Sequence, residues 1–319
     1  MSTSKPTLNS TSAPLVPAEL VLVLGILAVS TASIFIRKAQ GEASSLVIAA
    51  VRMSLASLVL LPIYWVRQRG ELKQLGRGQV SMLVLSGVLL ALHFITWISS
   101  LEYTSVASSV VLVTTSPLWV ALLSPLFLKE KLGKLVWIGL GIAMLGSIVV
   151  GLSQGCLMSP IGLTCPGLYD FFKGRAFFGN LLALAGAWFS AGYLLIGRRV
   201  RPNLSIISYT LAVYGTASLV LLGLVAITGQ KLSGYSSTTY GYLVGLALVP
   251  QLIGHSSFNW ALKYLPAAFV SVALLGEPIG TVILAYLFLR EAPTLFEMMG
   301  GVFILVGIYV ASRRRNQQG

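Results

Sequence analysis

Charge is scarce in this 319-residue chain: Asp, Glu, Lys and Arg together make up 10% of it, and Asp plus Glu only 9 residues, while hydrophobic residues make up 56%. So little charge against so much apolar surface excludes an ordinary water-soluble domain. Catalytic patterns are absent as well. The chain has no H-E-x-x-H, no pair of carboxylates within an apolar stretch and no G-x-x-x-x-G-K-[ST] phosphate loop, so neither a resident metal nor direct use of ATP is expected. Gly254-His255-Ser256-Ser257-Phe258 lacks the flanking glycine of a nucleophile elbow, which leaves an intramembrane enzyme only as a remote alternative. No cofactor is expected, and the chain is read as not an enzyme.

What is present is a series of apolar stretches, each of about 18 to 24 residues and long enough to cross a hydrocarbon layer of roughly 30 Å. They lie near 18–36, 45–66, 79–100, 106–128 and 135–152, and again near 177–197, 205–228, 240–262, 266–289 and 296–312. Backbone groups in lipid must find partners within the segment, so the stretches are predicted helices. The fold class expected is an all-α integral membrane protein with ten transmembrane helices.

The formal net charge of +13 does not call for a nucleic-acid partner, because the basic residues sort by side. On the side of the N-terminus fall Lys5, Arg67, Arg69, Lys73, Arg77, Lys129, Lys131, Lys134, Arg198, Arg199, Arg201, Lys263, Arg313, Arg314 and Arg315. Opposite lie Arg37, Lys38, Lys173, Arg175, Lys231 and Arg290, with Arg52 inside a stretch. The positive-inside rule then places both termini in the cytoplasm of a plasma or bacterial inner membrane.

A repeat underlies the pattern. With an offset of 161 and no gap, Ala56 to Leu61 (ASLVLL) recurs as Ala217 to Leu222, and Leu20, Gly25 and Arg37 meet Leu181, Gly186 and Arg198. Ser116-Pro117 to Leu126-Phe127-Leu128-Lys129-Glu130 answers Glu277-Pro278 to Leu287-Phe288-Leu289-Arg290-Glu291, and Gly139 and Gly146 answer Gly300 and Gly307. An odd number of spans per unit places the two copies in opposite orientations, the arrangement of many secondary transporters. Loop charge agrees: the loop after the second helix carries Arg67, Arg69, Lys73 and Arg77, and its equivalent carries Lys231 alone.

The expected organisation is a disordered cytoplasmic tail over 1–17, repeat one over 18–152, an extracytoplasmic connector over 153–176, repeat two over 177–313 and a basic cytoplasmic tail over 314–319. The first helix matches the sixth position by position, so it is read as retained rather than cleaved as a signal peptide. Cys156 and Cys165 share the connector, where a disulfide and two free thiols are both open readings.

At Pro117, the Leu126-Phe127-Leu128-Lys129-Glu130 helix end and the Gly139/Gly146 helix, each matched in the second half, the chain resembles the EamA family of the drug/metabolite transporter superfamily. The resemblance covers roughly 18–152 and 179–313. It implies a ten-helix inverted-repeat carrier that moves small metabolites, often outward, through a central cavity lined by both halves. The Cys-containing connector departs from the compact link expected of the family.

Polar residues inside apolar stretches carry the functional reading, since an ionisable group at mid-bilayer costs about 2.5 to 3.5 kcal/mol on insertion scales. Glu277, halfway along the ninth helix and followed by Pro278, reads either as a cavity carboxylate available for ion coupling or as a hydrogen-bonded residue of a broken helix. Arg52 reads either as a structural residue, snorkelling to the outer headgroups or paired with a carboxylate, or as a ligand for a substrate carboxylate. His93 and Trp97 share one face of the third helix, and Gln251, His255 and Asn259 one face of the eighth. With Ser116 and Trp188 these are the candidate cavity-lining residues, and His93 and His255 are expected at opposite ends of one path. Against each stands the plainer reading of interhelical hydrogen bonding or interfacial anchoring. Gly25, Pro117, Pro250 and Pro278 are expected bends. The small-residue faces at Gly139, Ala143 and Gly146, Gly300 and Gly307, and Gly241 and Gly245 read as packing surfaces or a dimer face, leaving monomer or homodimer open.

The function these features favour is a secondary-active or facilitative transporter exporting small amphiphilic metabolites such as amino acids by alternating access. Its partners would be a small-molecule substrate and the lipid bilayer. A carrier of phosphorylated sugars or nucleotide-sugars is the alternative, disfavoured because such anions want several buried cations.

Overall fold

The computed structural model describes residues 16–128, 134–153, 157–159, 162–164, 174–265, 270, 273–274 and 276–312. Cys156, Cys165, most of the N-terminal tail and the final basic tail lie outside the described residues, and with them the question of a disulfide. The described chain is helical apart from a short antiparallel pair in the connector, Leu157–Ser159 with Gly162–Thr164.

Helix α1 (Ala18–Ser30) stops at Thr31, and α2 (Ala32–Ala39) resumes almost at once. The helix runs unbroken through Gly25, and the interruption sits at Thr31, whose hydroxyl donates back to Ala28 O at 2.7 Å and competes with the ladder. Helices α3 (Ser45–Arg67) and α4 (Arg77–Ser100) are continuous. The fourth stretch splits into α5 (Val106–Val113) and α6 (Ser116–Leu128). At the break Thr114 Oγ1 donates to Val110 O and Thr115 Oγ1 to Leu112 O, and Pro117 has no backbone N–H to carry the ladder across. Helix α7 (Lys134–Ser153) closes the first half.

The second half follows with α8 (Arg175–Val200) and α9 (Ile206–Thr228). Next come α10 (Ser237–Leu246), a π-helical segment over Ala247–His255 that contains Pro250, and α11 (Ser256–Ala261). Helices α12 (Gly276–Leu289) and α13 (Leu295–Ser312) complete the chain. At the π-segment the halves differ in backbone: its counterpart in α4 has Leu89 in place of Pro250 and stays α-helical. Ser44 and Ser205, equivalent under the offset, each cap the helix that follows by accepting from the backbone N–H of Val47 and Ser208.

Helices pack in pairs that the offset exchanges. Helix α3 lies on α9 and α7 on α13, each pairing equivalent elements, while α4 packs on α8 as α1 packs on the π-segment. The latter two approach closely at equivalent glycines: a Cβ on Gly25 would stand 2.9 Å from Ser257 Cβ, closer than real Cβ atoms come, and one on Gly186 would press Thr96 Oγ1 at 3.3 Å. Two arginines repeat the symmetry. Arg37 donates through Nη1 to Leu101 O, and Arg198 through Nη1 to Leu262 O. Arg37 also pairs with Glu291 at 3.1 Å.

The main buried cluster draws on α1 to α5, α8, α9 and the residues on either side of the π-segment, such as Leu243, Leu246, Phe258 and Ala261. Outward faces are apolar too: Leu58 is 61% and its repeat mate Leu219 73% exposed. A polypeptide that buries polar groups and presents leucine outward is built for lipid as solvent. Among the described residues six helical spans are long and apolar enough to cross a membrane: Ala18–Ala39, Ser45–Arg67, Arg77–Ser100, Val106–Leu123, Arg175–Val200 and Ile206–Thr228.

Candidate functional site

The polar centre is assembled where α3 and α4 of the first half meet the π-segment of the second. Arg52, on α3, is fully buried. Its Nε donates to Gln251 Oε1 at 2.7 Å, and its guanidinium carbon lies 4.1 Å from the centre of the Phe94 ring. Among the described residues it makes no carboxylate contact, and it does not reach the bundle surface. Arg52 Nη1 and Nη2 have no hydrogen-bond partner among the described residues, and the Gln251 side chain, besides accepting from Arg52, meets Tyr214.

Beside this pair stand the two histidines. His93 shares a 2.9 Å hydrogen bond between Nδ1 and Gly186 O; a carbonyl only accepts, so Nδ1 carries the proton and a neutral His93 keeps Nε2 as an acceptor. Its ring stacks on Trp97 at 5.9 Å and 12°. His255 meets the Phe94 ring edge-on at 5.3 Å and lies 6.4 Å from His93 between ring centres. The histidines therefore do not mark opposite ends of a path. Position along a helix measures depth only for helices that start level and run parallel, and the eighth stretch is shortened by its π-turn. Trp97 is buried, and its indole Nε1 has no partner among the described residues.

Asn259 lies one turn beyond His255, in a second polar layer whose other members, Tyr193, Tyr214 and Arg201, the sequence did not nominate. Tyr193 donates to Asn259 Oδ1 at 2.5 Å, Asn259 Nδ2 donates to Tyr214 Oη at 3.3 Å, and Tyr214 Oη lies 3.3 Å from Ser256 Oγ. Arg201 Nε donates to Asn259 O at 2.9 Å. The signal available was weak: Tyr193 and Tyr214 interrupt apolar runs, and a buried phenol needs a partner.

Glu277 sits in the first turn of α12, half-buried, with its backbone N–H on Leu274 O and its carbonyl accepting from Ser30 Oγ at 3.4 Å. It interacts electrostatically with Arg52 without an ion-pair contact. Ser116 is buried at the start of α6. Trp188 is 51% exposed and meets Trp119 edge-on at 5.1 Å, so it is not brought to the histidines.

Apolar spans closed around a buried cluster of ionisable and aromatic groups define a multi-pass membrane protein with a polar centre. The model of the EamA-like transporter family matches residues 16–152 and again 177–313, so the chain belongs to that family. An uncharacterized transporter of Archaeoglobus fulgidus is 26% identical over 94% of this chain and 98% of its own length. A pseudopaline exporter of Pseudomonas aeruginosa, CntI, is 25% identical over 93% and 96%. A solved crystal structure covering 92% of this chain and 96% of its own aligns with TM-score 0.62 at 18% identity, a likeness of fold.

Proposed function

We propose that this chain is a secondary-active or facilitative carrier that exports small amphiphilic metabolites such as amino acids across a cell membrane. Two five-helix repeats of opposite orientation, ten spans in all with both termini cytoplasmic, rock against each other around the polar centre. The observation that carries the reading is the contact of Arg52 and His93, from one repeat, with Gln251 and His255 from the other. A solute bound there touches both moving bodies, which is what alternating access requires. The exporter named among the relatives agrees with outward movement. Glu277 is the group assigned to ion coupling, since a carboxylate inside the bundle, within the field of Arg52, can titrate as the solute comes and goes.

Proteoliposomes test this directly. Saturable flux of labelled amino acids, competed by aromatic analogues and losing its pH dependence in Glu277→Gln, is expected. Exchange of phosphate esters in place of amino acids would overturn the substrate class, and an unchanged pH profile in the variant would remove Glu277 from coupling.

A further inference from the structure

We propose that Arg52 and Gln251 form the pole of the site that binds a carboxylate, which makes the transported solute an organic carboxylate of amino-acid type; this rests on the carrier reading above. Arg52 and Gln251 are both fully buried, and Arg52 Nη1 and Nη2 have no partner among the described residues, whereas the Gln251 side chain also meets Tyr214. Both unpaired atoms carry N–H groups. Arginine has donors and no acceptor, so Gln251 turns its oxygen to Arg52 Nε, and its own N–H groups are left on the side of Tyr214. Trp97 Nε1, on the adjoining aromatic wall, is another donor without an acceptor.

Buried donors left without acceptors are costly, and a buried cation more so. The missing group is therefore an acceptor with negative charge. Phe94 covers one face of the guanidinium, which leaves the edge of the fork unspent, and two parallel N–H bonds from that edge suit the two oxygens of a carboxylate. A dianionic phosphate ester fits less well. Arg52 is the buried cation of this cluster, and Glu277 already offsets part of its field. The same Glu277 lies in electrostatic range but out of contact, so it is placed to face a cationic amine rather than to fill the fork. A zwitterion would offer its carboxylate to Arg52 and its amine to the field of Glu277. Because Arg52 and Gln251 belong to different repeats, its carboxylate would tie the repeats together, and binding should be visible as resistance to unfolding.

The experiment is thermal unfolding of the purified full chain in detergent, with the proteinogenic L-amino acids, their carboxamides, the corresponding decarboxylated amines and glucose 6-phosphate as probes. At least one free amino acid is expected to raise the melting temperature saturably, while its amide and amine do not. Arg52→Gln and Gln251→Ala should each weaken that amino acid at least tenfold. Should Arg52→Gln fail to fold, Gln251→Glu decides: it sets a carboxylate on the guanidinium, raises the melting temperature without ligand and abolishes the amino-acid shift. The proposal is overturned if no amino acid shifts the wild type, if amide and acid act alike, if the phosphate ester replaces the amino acids, or if the shift survives in the variants. An Arg52-dependent shift without flux in proteoliposomes would sink the carrier reading and leave the site, whereas amino-acid flux indifferent to Arg52 would sink the site and leave the carrier.

Discussion

Glu71 shows how one carboxylate can hold two elements at a helix start. It lies in a short 3-10 turn over Glu71–Gln74 and accepts from Ser205 N at 2.7 Å and from the hydroxyls of Ser205 and Ser208, at the N-terminus of α9. Partial burial, the largest single influence, pushes its carboxyl upward. The donors of Ser205 and Ser208 and the charge of Arg201 outweigh it and hold the group below its ordinary value of 4.5. A carboxyl lowered on folding contributes stability above its unfolded value and loses it as the pH falls through the folded one. Glu71→Gln is therefore expected to lower the melting temperature by a few degrees at neutral pH, with the gap to wild type closing as the pH drops below 4.5. A gap that stays constant from neutral pH into acid would refute this. At the same scale, the intramembrane charges Arg52 and Glu277 were legible from sequence because charge inside an apolar run is conspicuous. The phenols of Tyr193 and Tyr214 were not, because an amphipathic ring in such a run is ordinary until its partner is known.

Between elements, the crossing of α7 on α13 is decided by glycines. A Cβ on Gly146 would come within 2.6 Å of Gly300 O, and one on Gly300 within 2.7 Å of Gly146 O and 2.6 Å of Val150 Cγ2. The small-residue faces of these two helices thus meet within the chain. Alanine normally favours a helix over glycine by about 1 kcal/mol, but here overpacking of about 1 to 3 kcal/mol should win. Gly146→Ala and Gly300→Ala should each lower the melting temperature. Gly301→Ala, whose Cβ would meet only Val111 Cγ2 at 3.7 Å, should be neutral or stabilising. Equal effects at Gly300 and Gly301 would contradict the packing argument. These faces could be read from sequence as close-packing surfaces, yet their partner could not, since glycine spacing serves a dimer as well as an intramolecular crossing. The split of the fourth stretch at Thr114 and Thr115, beside Pro117, was foreseeable. The break at Thr31 was not, because a single hydroxyl back-bond carries no sequence signature.

For the whole molecule, Lys73 and Lys231 lie in equivalent, exposed loops of the two halves. In a chain with Cys156 and Cys165 replaced by serine, Lys231→Cys should react with a membrane-impermeant maleimide in intact cells and Lys73→Cys only after permeabilisation. Labelling of both from one side would rule out opposite orientations. Sequence alone determined the solvent, the helical class, the duplication and the family, because each is a one-dimensional property: hydropathy over a span's length, an offset of 161, and motifs repeated at that offset. It also nominated most of the polar centre, as residues too costly to bury without a reason. Only the tertiary structure decided which of them meet. The π-turn around Pro250 and the packing of the halves bring His93 to His255 and Arg52 to Gln251, and leave Trp188 outside. Distance across a bundle depends on how helices are inclined and where their ladders break, and residue spacing along the chain does not encode it.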